Sequence, residues 1–169
     1  MKKNILGITP ARGGSKGIPK KNLVKLNGKP LIYYTIKVAK KSQLMTDYIL
    51  NSDDPKIRNV AKSYGVKTIN RPKRYSHDKI LQEVDLLLKW TVKKYEKKFK
   101  KKIDIIVLLY PTSPLRDVSS LDKAINLVLN QGYDSALSLY HDTRYLWVKR
   151  KNDIVKAKNY DPNKRMPRQ

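Results

Sequence analysis

Short apolar runs alternate with stretches of helical period from residue 4 to about residue 132. An apolar run without polar alternation suits a strand buried on both faces. Repeated strand–helix–strand order builds a parallel sheet with helices on both sides. The first run, about Asn4 to Thr9, is nearly all apolar. Asn27–Gly28 is a turn, and Pro30 suits the first position of a helix in which Leu31, Ile32, Thr35, Val38 and Ala39 recur to about Lys41. A second strand is expected over Tyr48–Asn51, ending in Ser52–Asp53–Asp54–Pro55. Asp53 there reads as a helix cap, with a Mg²⁺ carboxylate as the other reading. The helix beyond runs to about Tyr64, Gly65 stops it, and Val66–Ile69 is a third strand.

After the polar loop Asn70–Lys79 comes the clearest helix, with Ile80, Leu81, Val84, Leu87, Leu88, Thr91, Val92, Tyr95 and Phe99 on one stripe. Ile103–Tyr110 is another buried strand and Pro111–Asp117 its exit loop. Ser119 and Asp122 have capping-box spacing for a helix that stops at Gly132. Ser135–Tyr140 reads as a strand, Tyr145–Lys149 as a further one, and the rest as a polar tail. The expectation is one α/β domain over residues 1–169, with ligands where strand C-termini meet their loops.

Charge narrows the function. Lys and Arg number 38 against 14 acids, a net +24. Such a balance raises nucleic-acid binding. Yet 29 of the 38 are lysine, dispersed apart from the run Lys93–Lys102. That argues for a solvated surface with non-specific attraction to polyanions rather than a specific nucleic-acid reader. With no cysteine and two histidines, a disulfide framework, a thiolate metal site and a histidine metal site are excluded. No apolar run approaches membrane-spanning length and no secretory pattern opens the chain, so a cytoplasmic protein without membrane contact is expected.

The segment Ile8–Asn22, ITPARGGSKGIPKKN, leaves the first strand as a basic glycine-rich loop. Gly13, Gly14 and Gly17 permit positive φ, and uncovered N–H groups form a concavity for anions. Arg12, Lys16, Lys20 and Lys21 add charge suited to a polyphosphate. The loop is neither a Walker A sequence nor a dinucleotide fingerprint. On glycines and charges alone it reads equally as a solvated basic turn.

The full string is more specific. Ala11, Arg12, Gly14, Ser15, Lys16, Gly17, Pro19, Lys21 and Asn22 resemble the N-terminal signature of the N-acylneuraminate cytidylyltransferases, A-R-x-G-S-K-G-x-P-x-K-N. The octulosonate enzymes carry Arg-Leu-Pro in the region of Lys16–Pro19, so the resemblance favours the nonulosonate branch. It implies a Rossmann-like three-layer nucleotide-diphospho-sugar transferase fold with a mainly parallel sheet. It implies nucleotide contacts from Ala11, Arg12, Gly13, Gly14, Ser15, Lys16, Lys21 and Asn22, with Arg12 and Lys21 catalytic.

Arg71–Pro72 followed by Ser76–His77–Asp78 resembles the family's cytidine element, with a histidine inserted between Ser76 and Asp78. Arg71, Asp78, Ile80 and Gln82 are the base-side contacts it implies. Asp78 also suits a cap of the long helix, and His77 an exposed loop position. Leu109–Arg116, LYPTSPLR, resembles L-x-P-T-S-P-L/F-R and implies sugar contacts from Tyr110, Thr112, Ser113 and Arg116. Tyr110 stands where the family often has glutamine, which leaves the sugar open. A rigid proline turn with Arg116 as a clamp is the structural alternative. Asn159–Gln169 resembles N-Y-D-P…K-R-P-R-R-Q, with Arg165, Arg168 and Gln169 facing the acceptor carboxylate; Met166 and Pro167 depart from it.

The implied reaction joins CTP and an acidic nine-carbon sugar, an N-acylneuraminate or a relative such as legionaminate or pseudaminate, into a CMP-sugar with release of pyrophosphate. This is chemistry of surface polysaccharide synthesis, with Mg²⁺ as cofactor and a homodimer as the assembly. The resemblance implies that the chain lacks the family's C-terminal segment, with its dimer arm and Mg²⁺ aspartates. That leaves the metal ligands open, and a truncated CTP-binding module of impaired catalysis as the alternative.

Overall fold

The computed structural model of this protein describes residues 3–15, 17–76, 81–139, 147–149 and 155–158. The chain divides into two units, one ending at Leu137 and the other beginning at Ser138.

In the first unit, β1 (Ile5–Pro10), β4 (Asp47–Ser52), β5 (Lys67–Asn70) and β6 (Ile105–Leu108) form a sheet in the order β5-β4-β1-β6. All three pairings are parallel, with Ile8 opposite both Ile49 and Leu108. Between β1 and β4 lie a small hairpin, β2 (Lys25–Leu26) with β3 (Lys29–Pro30), and helix α1 (Leu31–Lys41). The hairpin turns on Asn27 and Gly28, at φ 46° and 76°, as a two-residue loop between antiparallel strands requires. Helix α2 (Pro55–Ser63) joins β4 to β5, α3 (Leu81–Phe99) precedes β6, and α4 (Val118–Asn130) follows it.

Alternation along the buried strands sorts the core into two layers. Ile5 and Leu50 face one side with Ile32, Ile36, Ile57, Ala61, Leu121 and Ile125, so α1, α2 and α4 cover that face. Leu6, Ile8 and Ile49 face the other with Tyr95, packed against Leu88, Val92 and Phe99 of α3. These are the helix–sheet–helix layers expected from sequence. Gly7 is fixed by close approach: a Cβ there would stand 2.6 Å from Met45 Sδ and 2.9 Å from the Tyr48 ring. That gap lets the Tyr48 hydroxyl donate to Thr9 Oγ1 at 2.7 Å inside the core.

Asp47, opening β4, accepts from Lys67 Nζ at 2.5 Å and from the Tyr95 hydroxyl. Burial alone would raise its carboxyl; those two donors, the Tyr48 N–H and the Lys67 charge hold it below the ordinary value. Among the described residues no helix is long and apolar enough to cross a membrane.

Several local expectations are corrected. Asp54, not Asp53, caps α2, accepting from Lys56 N at 2.7 Å ahead of Pro55. Asp117 caps α4 through Ser120 N at 2.8 Å. Asp122 instead accepts from the Ser42 hydroxyl and from Gln43 N at 3.0 Å, tying α4 to the end of α1. Spacing alone did not reveal that competing acceptor role. β6 is shorter than the expected 103–110, although Leu109 N still donates to Ile8 O at 3.0 Å. Residues 135–139 form no strand, and Leu137 and Leu139 are exposed. In the second unit, β7 (Trp147–Lys149) pairs antiparallel with β8 (Val155–Ala157), a strand the polar tail concealed.

Candidate functional site

The parallel strands end at one edge, where segments 11–23, 53–54, 71–76 and 109–117 leave the sheet. This is where open α/β sheets bind ligands. The glycine loop after β1 is sewn to its surroundings by bonds distant in sequence. Ala11 is buried, and its N–H donates to Asn51 O at 2.9 Å. The side-chain amide of Asn22, 4% exposed, donates to Arg12 O at 2.9 Å and so ties the end of the loop to its beginning. Gly13 N donates to Asp53 Oδ1 at 3.0 Å, and Ser15 N to Gly13 O at 3.2 Å. Arg12 and Lys21 are half-buried beside these anchors.

At Gly13 this differs from the concavity of uncovered amides that the glycines suggested. The N–H groups of Ala11, Gly13 and Ser15 are all taken within the protein. Gly13 and Gly14 do not adopt positive φ, whereas Lys20 does, at 52°, before the 3-10 turn Lys21–Leu23. Glycine at position 13 serves close approach instead: a Cβ would meet Asp54 Cβ at 2.8 Å. Open space lies where Gly14 and Gly17 would carry side chains, which leaves room against the backbone for a ligand.

Asp53 is the residue that sequence reasoning undervalued. Burial would raise its carboxyl, but the Gly13 N–H, its own backbone N–H and the charge of Arg71 hold it below the ordinary value. Its bond to Gly13 spans 40 residues, a pairing that no local pattern encodes. Arg71 N donates to Ser52 O at 3.0 Å, and Arg58 Nη1 to the same oxygen at 2.8 Å. The strand exit 51–54 therefore holds the loop after β1 and the start of the loop after β5 together.

The loop after β6 is built differently. Pro111 is buried, while Thr112 and Ser113 are exposed. Arg116 turns back on its own loop: its N–H donates to Ser113 O at 3.3 Å and its Nη2 to Tyr110 O at 3.4 Å. Burial lowers its guanidinium, opposed by the neighbouring Tyr48. Tyr110 is partly exposed, its phenol raised by burial and by the charge of Asp85. Lys16, His77, Asp78, Ile80, Arg165, Arg168 and Gln169 lie outside the described residues, and Gln82 falls in the first turn of α3.

Among the described residues no three histidine, cysteine, aspartate or glutamate side chains come together for a metal. Asp53 and Asp54 are engaged with the N–H groups of Gly13 and Lys56. The described residues therefore form no all-protein cage for Mg²⁺, which beside a nucleotide is held by one or two carboxylates together with phosphates.

The sequence profile of a family described as cytidylyltransferase matches residues 6–164. The chain is 32% identical over 145 residues to an N-acylneuraminate cytidylyltransferase A of Danio rerio, a match over 86% of this chain and 32% of that protein. A pseudaminic acid cytidylyltransferase of Campylobacter jejuni is 38% identical over 125 residues, 70% of this chain and 50% of the relative. The chain thus spans between about a third and a half of the lengths of these two relatives. In fold it is similar to a CMP:2-keto-3-deoxy-manno-octonic acid synthetase solved with CTP. That likeness has a TM-score of 0.60 at 20% identity, over 76% of this chain and 49% of that one.

Proposed function

The chain belongs to the cytidylyltransferase family, and from that premise we propose that it binds CTP and serves transfer of CMP to an acidic nonulosonic sugar, with release of pyrophosphate. The observation that carries this reading is the joining of the Arg12 loop and the Arg71 segment by residues 51–54 at the ligand edge of the sheet. The sugar's anomeric hydroxyl attacks the α-phosphate and pyrophosphate leaves. Such transfer needs charge neutralisation and alignment more than covalent help from the protein. Arg12 and Lys21 supply charge to the phosphates, with Lys16 beside them in the sequence. Arg71 takes the cytidine side. Tyr110, Thr112 and Ser113 line the acceptor side. The described residues form no cluster of three metal-ligating side chains, so charge at the phosphates comes first from the chain's own cations.

N-acylneuraminate, legionaminate and pseudaminate are the acceptors to test, since relatives named for each are similar to this chain. The decisive measurement is CTP calorimetry followed by pyrophosphate release with each sugar and Mg²⁺. Micromolar CTP binding, weaker UTP and ATP binding, and release with one sugar are expected. Binding without release from any sugar would reduce the reading to a nucleotide-binding module. Failure to bind CTP at all would end it.

A further inference from the structure

The glycine loop and the segment that opens with Arg71 are distant in sequence, yet the exit of β4 holds both: Asp53 accepts from Gly13 N, and Arg71 N donates to the adjacent Ser52 O. Asp53 leaves the end of β4, the strand between β1 and β5. Its Oδ1 accepts from Gly13 N at 3.0 Å. The adjacent Asp54 packs so tightly on Gly13 that a Cβ there would stand 2.8 Å from Asp54 Cβ. Two consecutive residues of one strand exit therefore seat the middle of the glycine loop. We propose that Asp53 is a positioning residue for the nucleotide: it fixes the Gly13 N–H, and with it the loop that carries Arg12, against the segment that carries Arg71. This rests on the reading of this edge as the CTP site.

Other roles for Asp53 meet specific objections. Helix capping belongs to Asp54. A protein-only metal cage would need companions, and no group of three ligating side chains assembles among the described residues. A third role is that of an internal anion, occupying a donor that a phosphate must later displace. Against it stands the packing of Gly13 on Asp54, with Asn51 and Asn22 holding the flanks of the same loop. A decoy needs a loop that lifts away, and this one is docked on three sides. The Arg71 charge also acts on the Asp53 carboxylate, which ties the second segment to the same anchor.

Positioning and displacement predict opposite signs. Asp53→Ala removes the acceptor of the Gly13 N–H, so a positioning role lowers CTP affinity and a decoy role raises it. Asp53→Asn keeps an amide oxygen for that N–H, so positioning is largely preserved. The test is calorimetry with CTP on the full chain, for wild type, Asp53→Ala, Asp53→Asn and Arg12→Ala, the last also combined with each Asp53 variant. Expected are a loss of about ten-fold in Asp53→Ala and affinity within about three-fold of wild type in Asp53→Asn. Arg12→Ala should cost less in the Asp53→Ala background than in wild type, because residues acting through one contact are not additive. Additive losses would mean that Asp53 supports the fold without aiming the loop, and would overturn the proposal. Unchanged or raised affinity in Asp53→Ala would overturn it too, as would a ten-fold loss in Asp53→Asn. If Asp53→Ala does not fold, the isosteric Asn variant and its Arg12→Ala combination decide alone, by near-wild-type affinity and a full Arg12 effect. Wild type that does not bind CTP would instead overturn the site reading on which this rests.

Discussion

The loop after β1 and the loop after β6 leave the same edge of the sheet and are held in different ways. The first is fixed by long-range bonds, from Asn51 to Ala11 and from Asp53 to Gly13, with Asn22 closing its end on Arg12. The second is tied across the sheet at its first residue, where Leu109 N donates to Ile8 O, and beyond that it is shaped by its own prolines and by Arg116, whose bonds to Ser113 and Tyr110 stay within the loop. It leaves Leu115 92% exposed. Bonds that cross the sheet order a loop before any ligand arrives, so binding need not supply that ordering. Local bonds set a turn's shape but not its seat on the rest of the molecule. The proposed nucleotide side is thus pre-organised in the free chain, and beyond Leu109 the proposed acceptor side is a presented surface.

The largest expected difference is in CTP affinity. Arg12→Ala should weaken binding about ten-fold or more, the loss of a charge-assisted contact worth roughly 1.5–3 kcal/mol. Arg116→Ala should leave CTP affinity within about two-fold, since its described bonds stay in the β6 loop. Calorimetry on both variants checks the contrast, and equal losses would break it.

Stability should separate the loops next. Asn22→Ala strips the half-buried Arg12 O of the partner that a buried side-chain amide supplies, at a cost of about 1–3 kcal/mol. Chemical denaturation measures it. A smaller cost than that of Arg116→Ala would reverse the ordering of the two loops.

Acid should loosen the fold at both ends of β4, through Asp53 on the pre-organised side and through Asp47 at the strand's start. Asp53 and Asp47 have folded values held below the ordinary 3.8. A depressed carboxyl stabilises the fold above its unfolded value, and that stability is lost as pH falls through the folded value. The thermal midpoint should therefore hold from neutral pH down to about 4 and fall below it, with a shallower fall in Asp47→Asn. An Asp47→Asn profile as steep as wild type would remove Asp47 from the acid response.

Sequence made the layers legible because strand burial and helix period are local signals. Gly65 and Gly132 end their helices with φ of 71° and 77°, and Asn27–Gly28 turns the hairpin, as their residue types require. The family signature marked the glycine loop, yet it did not reveal how the loop is held. The Gly13–Asp53 and Asn51–Ala11 bonds each join positions 40 residues apart, and Asp53 and Asp54 look interchangeable until one caps a helix and the other seats a loop. Apolar patterning over Ser135–Tyr140 likewise suggested a strand, but pattern cannot supply a partner, and residues 135–139 form none. β8 shows the converse: Val155–Ala157 has little apolar pattern and pairs all the same, because β7 provides an edge.

The smallest effect should come from Leu115→Ser, and its smallness is informative. Leu115 is the most exposed of the large apolar side chains described, in a turn already fixed by buried Pro111 and the inward Arg116. A side chain that buries nothing contributes no transfer free energy to folding, so stability should change by less than about 0.5 kcal/mol. CTP affinity should not change either, because the long-range bonds of the glycine loop do not involve this turn. An acceptor role for the β6 loop would appear elsewhere, as a raised KM for the sugar at unchanged stability and CTP affinity. Denaturation, calorimetry and sugar-dependent pyrophosphate release on one preparation separate these outcomes. A stability loss above 1 kcal/mol would mean that Leu115 is packed in solution, and that the β6 loop is docked by contacts beyond its own turn, as the β1 loop is.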